Sequence, residues 1–218
     1  MKKYKLENKI ITSIIEADVD EKKVKEFIEK WSAYKLRAIA VDLTYLTFAK
    51  ELLQGTDIRL TAVASYPLGG MTTESKINQL EYAIKMGADE IDVSLNYNAI
   101  KSGDFDRISE EVKRIAKAAE GKIDVIMIPM TYILTNKNKI EICKIILENG
   151  VKSIKTNSGF GAKTVFEDVS LIKRMFHDDL RIEVAGGVRT AQQAEEYLKL
   201  GADYIHTSTP EKVLEGAE

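Results

Sequence analysis

Short apolar runs alternate with longer stretches in which apolar residues return every three to four positions, from one end of the chain to the other. The short runs fall at 10–15, 38–42, 60–65, 90–95, 124–128, 153–156, 181–185 and 204–207, and they read as buried strands. Helical periodicity occupies 21–31, 74–86, 106–119, 138–149, 167–176 and 191–200. Three helical patterns stop at glycine, in Met86-Gly87-Ala88-Asp89, Asn149-Gly150-Val151 and Leu200-Gly201-Ala202-Asp203, where a left-handed cap can feed the next strand. Strands in strict alternation with helices predict a parallel sheet wrapped by helices. Eight such units favour a closed (β/α)8 TIM barrel over an open, doubly wound sheet. No Pro/Ser linker or low-complexity tract divides the chain, so residues 1–218 read as one domain. That length is modest for this fold, where about 250 residues is typical, so the loops are expected to be short.

Alternation within the strands separates a face that meets the helices from a face that points into the barrel. Ile91, Val93 and Leu95 take the helix side, which turns Asp92 inward; Ile154 leaves Lys155 inward, Ile182 and Val184 leave Glu183, and Ile205 leaves His206. Asp42, ending the second apolar run, also falls on the inner face. Barrel interiors are packed mainly with branched apolar side chains, and active sites form at the C-terminal strand ends. Five ionisable groups converging there point to chemistry, with a structural salt-bridge layer as the other reading. His206 alone also fits a role as a hydrogen-bond partner to a neighbour. Lys155 carries the most information. An inward ammonium is unfavourable unless it is paired or sheds its proton, and a lysine that sheds it attacks carbonyl carbon to form an imine.

Glycines give a second signal. Ser158-Gly159-Phe160-Gly161 follows the sixth strand, Ala185-Gly186-Gly187-Val188-Arg189-Thr190 the seventh, and Thr207-Ser208-Thr209 the eighth. The last two loops are where barrels of this kind hold phosphate on bare N–H groups. Gly186, Gly187, Ser208 and Thr209, with Gly159 and Gly161 nearby, are the candidate phosphate ligands.

Composition narrows the partners. The 32 basic and 34 acidic residues nearly cancel, leaving a formal charge of -2, which points to neither nucleic acid nor a membrane surface. The lone cysteine, Cys143, excludes an internal disulfide, fits a cytoplasmic setting, and lies in a helical pattern as a core filler. Met1-Lys2-Lys3-Tyr4-Lys5 is basic with no continuous apolar run after it, so neither a leader nor a membrane span is expected. No closely spaced His/Cys set prescribes a metal, and no cofactor is called for. Homo-oligomerisation, most simply a twofold dimer, is expected on general grounds.

Several stretches together are specific to one family: Tyr66-Pro67-Leu68-Gly69, Gly87-Ala88-Asp89-Glu90-Ile91-Asp92, Ala99-Ile100-Lys101-Ser102-Gly103-Asp104, Ile154-Lys155-Thr156-Asn157-Ser158-Gly159-Phe160-Gly161 and Ala185-Gly186-Gly187-Val188-Arg189-Thr190. In this order they resemble the deoxyribose-phosphate aldolases, class I aldolases on a (β/α)8 barrel, over about residues 20–209. The resemblance implies a Schiff-base lysine at Lys155, an aspartate that relays protons through water at Asp92, and phosphate ligands at Gly186, Gly187 and Ser208. It also exposes departures. The family's second lysine falls on Glu183, its early aspartate near Ile11, its second-strand cysteine on Ala40, and a fifth-strand glutamate is missing from Val125-Ile126-Met127-Ile128-Pro129. Two glycines fall on His206 and Pro210, and the loop after the sixth strand is about one residue short, with Lys163 where glycine is usual.

The implied reaction is cleavage of 2-deoxyribose 5-phosphate, or a related sugar phosphate, to acetaldehyde and glyceraldehyde 3-phosphate, with Glu183 recruited as acid/base beside the imine. Two alternatives remain at this point: a sugar-phosphate-binding paralogue with an inert Lys155–Glu183 pair, and a Schiff-base dehydratase or isomerase using His206.

Overall fold

The protein was analysed as a computed structural model that describes residues 6–215. The basic segment Met1–Lys5 discussed above lies outside the described residues. Eight strands, β1 (Ile10–Ile14), β2 (Ala38–Val41), β3 (Arg59–Ala64), β4 (Glu90–Ser94), β5 (Asp124–Ile128), β6 (Ser153–Lys155), β7 (Arg181–Ala185) and β8 (Tyr204–His206), pair in parallel in sequence order. β8 returns to β1, with Ile10 opposite Ile205, and the barrel closes. The helices between them are α1 (Glu21–Ser32), α2 (Leu46–Leu52), α3 (Thr73–Lys85), α4 (Tyr97–Lys101), α5 (Phe105–Ala119), α6 (Asn136–Glu148), α7 (Phe166–Phe176), α8 (Ala191–Lys199) and α9 (Pro210–Glu215). α2, α4 and α9 have five to seven residues, too few to show a period in the sequence.

The main core lies between barrel and helices. Ile10, Ile39, Leu60, Ile91, Val93, Ile154, Ile182 and Ile205 pack there with Val24, Ile28, Leu80, Ile108, Val112, Ile142, Cys143 and Ile172, all fully buried. The glycine stops recur as one geometry. Ala88, Val151 and Ala202, each following a left-handed glycine, donate back to Ala83, Ile146 and Tyr197, five residues earlier. At the other end of the helices, Asp20, Thr72, Asn96, Asp104, Thr135 and Thr190 cap the first turn through their side chains.

Inward-facing residues form two charged layers. The lower one closes the N-terminal end of the barrel: Glu90 binds Arg37 at 3.0 Å and Arg59 at 2.8 Å, and Arg59 reaches Asp124 at 2.5 Å. This ion-pair layer, built around Glu90, is separate from the five groups singled out in the sequence. The upper layer, two residues further along β4, holds Asp92. Two more buried ion pairs, Lys76–Glu111 and Lys139–Asp168, tie α3 to α5 and α6 to α7.

Candidate active site

β6 ends on Lys155, whose side chain is 2% exposed. Lys155 is the register partner of Glu183 on β7, and Asp92 comes from β4, one strand beyond β5. The lysine Nζ donates to Asp92 Oδ2 at 2.8 Å and lies 3.6 Å from Glu183 Oε1. That same Oε1 is 2.9 Å from His206 Nδ1. Alternation thus brings four of the five predicted groups into one buried chain, Asp92–Lys155–Glu183–His206.

Burial and mutual charge set their protonation. Desolvation raises Asp92 to about 6 and Glu183 to about 7, against the pull of Lys155. Burial works against the Lys155 ammonium, but Asp92 and then Glu183 outweigh it and hold its pKa above the ordinary lysine range. Burial, with Lys155 adding to it, lowers His206 to about 3, which makes it a neutral imidazole at pH 7. Asp92 Oδ1, Ser94 Oγ and Tyr97 Oη are buried without a hydrogen-bond partner among the described residues.

Above this chain lies a cleft of about 230 Å³, lined by Ser13, Glu16, Tyr66, Ser158, Gly159 and Phe160 on one side and by the loops after β7 and β8 on the other. Gly186, Gly187, Arg189 and Ser208 belong to it, as does His206. Gly186 has φ 98°, and a Cβ there would come within 2.5 Å of the Ala162 carbonyl oxygen, so only glycine fits. The N–H groups of Gly187, Val188 and Ser208 donate to no acceptor among the described residues. Thr207 Oγ1 donates to Val188 O at 2.8 Å and joins the two loops.

Three residues expected at the site, Gly161, Thr209 and Asp42, lie outside this cleft. Gly161 is exposed in the loop after β6, and Thr209 is held beside Thr207 Oγ1; neither lines the cleft. Asp42 is not part of the buried chain. β2 stops at Val41 and the backbone turns into a short 3₁₀ helix, which leaves Asp42 half-buried, in an adjoining cleft shared with Glu16. Burial and that neighbouring carboxylate raise its pKa. Ligand atoms of Asp92, Glu183 and His206 lie within 4.8 Å of one another. The Lys155 ammonium is the cation already lodged against both carboxylates.

Tyr66 has a position that alternation could not reveal, because it stands in the loop after β3. Its ring centroid is 5.8 Å from Lys155 Nζ, its hydroxyl donates to Ser158 O, and Phe160 meets it edge-on at 6.1 Å. The amine therefore lies one aromatic ring below the cleft floor. A hydroxyl network fixes the loop after β6: Thr164 Oγ1 lies 2.7 Å from Thr156 Oγ1, donates to Ala185 O at 2.6 Å, and accepts from Asn157 at 2.8 Å.

Comparison with known proteins places the whole chain. The deoxyribose-phosphate aldolase of Dictyoglomus turgidum is 33% identical over 217 residues, covering 99% of each chain. That of Staphylococcus epidermidis is 33% identical over 207 residues, 94% of each. Among solved structures, the aldolase QR15 superposes with a TM-score of 0.91 at 27% identity, covering 97% of this chain and 95% of its own. Residues 6–203 match the DeoC/LacD family aldolase pattern, and the chain belongs to that family of aldolases.

Proposed function

We propose that the protein is a metal-independent, imine-forming carbon–carbon lyase that cleaves 2-deoxyribose 5-phosphate, or a closely related sugar phosphate, to acetaldehyde and glyceraldehyde 3-phosphate. The observation that carries this reading is the buried Lys155 amine, 2.8 Å from one carboxylate and 3.6 Å from a second, at the C-terminal end of β6 beneath a glycine-lined cleft. The similarity to deoxyribose-phosphate aldolases over nearly the whole chain supports the substrate. Lys155, once it passes its proton to a carboxylate, attacks the aldehyde carbon of the open-chain sugar. Asp92 then serves proton transfer at the donor carbon through its unpartnered Oδ1, and Glu183 takes and returns the proton of the amine. Phosphate is held by Gly186, Gly187 and Ser208, in loops that line the cleft and whose Gly187, Val188 and Ser208 N–H groups have no acceptor among the described residues, with the Arg189 cation lining the same cleft. Substrate reaches the amine by displacing the Tyr66 ring.

In this reading the amine itself is the covalent catalyst and no cofactor is needed. The whole chain acts as one catalytic domain in the cytoplasm, as a homodimer or a higher homo-oligomer. No helix among the described residues is long and apolar enough to cross a membrane. The test is reduction with borohydride in the presence of 2-deoxyribose 5-phosphate or acetaldehyde, followed by peptide mass spectrometry. A reduced adduct on Lys155 is expected. Stabilisation of the fold by deoxyribose phosphate with neither adduct nor turnover would instead identify a binding protein.

A further inference from the structure

We propose that Glu183 and His206 form a proton-transfer pair that carries the proton shed by Lys155 to the hydroxyl group that leaves as water when the imine forms. The proposal rests on the imine reading above and deepens it. Three observations converge on it. Lys155 Nζ and His206 Nδ1 both address one atom, Glu183 Oε1, at 3.6 Å and 2.9 Å. Of the four residues in the buried chain, His206 is the one that lines the cleft, so it gives Glu183 a path to the ligand space. Glu183 and His206 are both buried, and the pair spans from the amine to the ligand space.

The transfers balance. Lys155 ammonium gives a proton to the Glu183 carboxylate, leaving amine and carboxylic acid. With Glu183 as the acid the imidazole takes the tautomer with its hydrogen on Nε2, so that the Glu183 hydroxyl donates to Nδ1; the proton crosses to Nδ1 along that hydrogen bond and Nε2 releases its own hydrogen. The acceptor is the hydroxyl oxygen of the carbinolamine formed when the amine adds to the aldehyde. Its C–O bond breaks, water departs, and the nitrogen lone pair forms the C=N bond. Hydrolysis of the product imine runs the chain backwards: water adds to carbon, its proton enters at Nε2, and Nδ1 returns a proton through Glu183 to the amine. Each turnover therefore restores the starting tautomer. A histidine held neutral suits such a role, since it accepts at one nitrogen only while releasing at the other. The charged groups acting on the pair are Lys155 from β6, Asp92 and Glu90 from β4, and Arg37 at the foot of β2.

The test follows imine formation directly. Wild type, His206→Ala, His206→Asn and Glu183→Gln are mixed with acetaldehyde, quenched with borohydride at timed intervals, and read as intact mass. In the histidine variants the trapping rate should fall about 10²-fold, the lower range for a lost acid/base, while the final adduct yield is unchanged. Asparagine keeps a donor to Glu183 but cannot relay, so it separates relay from support of the fold. Imidazole and its methyl derivatives should restore the rate in His206→Ala, with rescue increasing with buffer basicity, and should leave Glu183→Gln slow. Histidine variants that trap as fast as wild type, or slow ones that no imidazole rescues, overturn the proposal and leave the imine reading standing. A wild type that forms no adduct at all sinks both.

Discussion

Replacing Asp92 with asparagine separates two jobs that the proposed mechanism gives to one carboxylate. The substitution keeps shape and removes a charge 2.8 Å from Lys155 Nζ. At an effective dielectric constant of about 20, a charge pair at 2.8 Å is worth about 6 kcal/mol, or about 10⁴ in the ratio of amine to ammonium. Part of this returns, because Glu183 is freed of a neighbouring negative charge and ionises more completely. We therefore expect the amine fraction at a given pH to rise by about 10²-fold, roughly half of that logarithm. Proton transfer at the donor carbon, which needs the carboxylate, should fall by about 10³-fold. Equilibrium borohydride trapping with acetaldehyde as a function of pH reads the first effect, and turnover of 2-deoxyribose 5-phosphate reads the second. The variant should trap at lower pH than wild type yet turn over far more slowly. An unchanged trapping midpoint would show that Asp92 does not hold the ammonium. Turnover within about tenfold of wild type would show that it does not handle the proton.

Three further variants test other parts of the site and the frame. Lys155→Met leaves Asp92 and Glu183 facing each other. Their folded-state values, about 6 and about 7, already exceed the ordinary 3.8 and 4.5, so the stability linked to them is complete below those ordinary values and lost as pH rises through 6 to 7. Without the cation both values move further up. The Tm of the variant should then fall more steeply than that of wild type between about pH 6 and about pH 8, and parallel curves refute this. Gly187→Ala puts a side chain at φ 88° and 3.3 Å from Lys163 Cγ, so KM for the phosphorylated substrate should rise about tenfold with kcat little changed, while an unaltered KM removes this loop from phosphate binding. Lys76→Met strands Glu111, buried on the other side of a 2.9 Å pair, and should cost about 3–5 kcal/mol in chemical denaturation without changing kcat of the folded fraction.

The strands and the buried chain were legible because both follow from alternation. Once Ile154, Ile182 and Ile205 are assigned to the helices, Lys155, Glu183 and His206 have only the interior left. Asp42 broke the rule because alternation holds only while the strand lasts, and β2 ends one residue before it. The interior is also layered, and a linear pattern does not say which inward carboxylates meet. Glu90 faces the same interior as Asp92 yet belongs to the lower layer, with Arg37 and Arg59. Tyr66 and Phe160 come from separate loops, and their edge-on contact depends on chain paths that no period encodes. The buried lysines Lys76 and Lys139 read as ordinary polar helix positions, since their partners Glu111 and Asp168 lie on neighbouring helices.

The carboxylate cage around Lys155 holds the ammonium and so opposes attack by the amine. Moving one proton from Lys155 to Glu183 converts an ion pair into two neutral groups in a dry site. Glu183 lies at about 7 and Lys155 well above the ordinary lysine range, so the free amine is strongly disfavoured at rest and substrate binding must offset that cost. A second lysine in place of Glu183 would favour the free amine by repelling its proton. Glutamate instead keeps that proton within reach, on an oxygen 2.9 Å from an imidazole that opens onto the cleft. The two designs answer the same requirement differently: one leaves the amine unprotonated in its resting state, the other stores the proton beside it for the dehydration that follows.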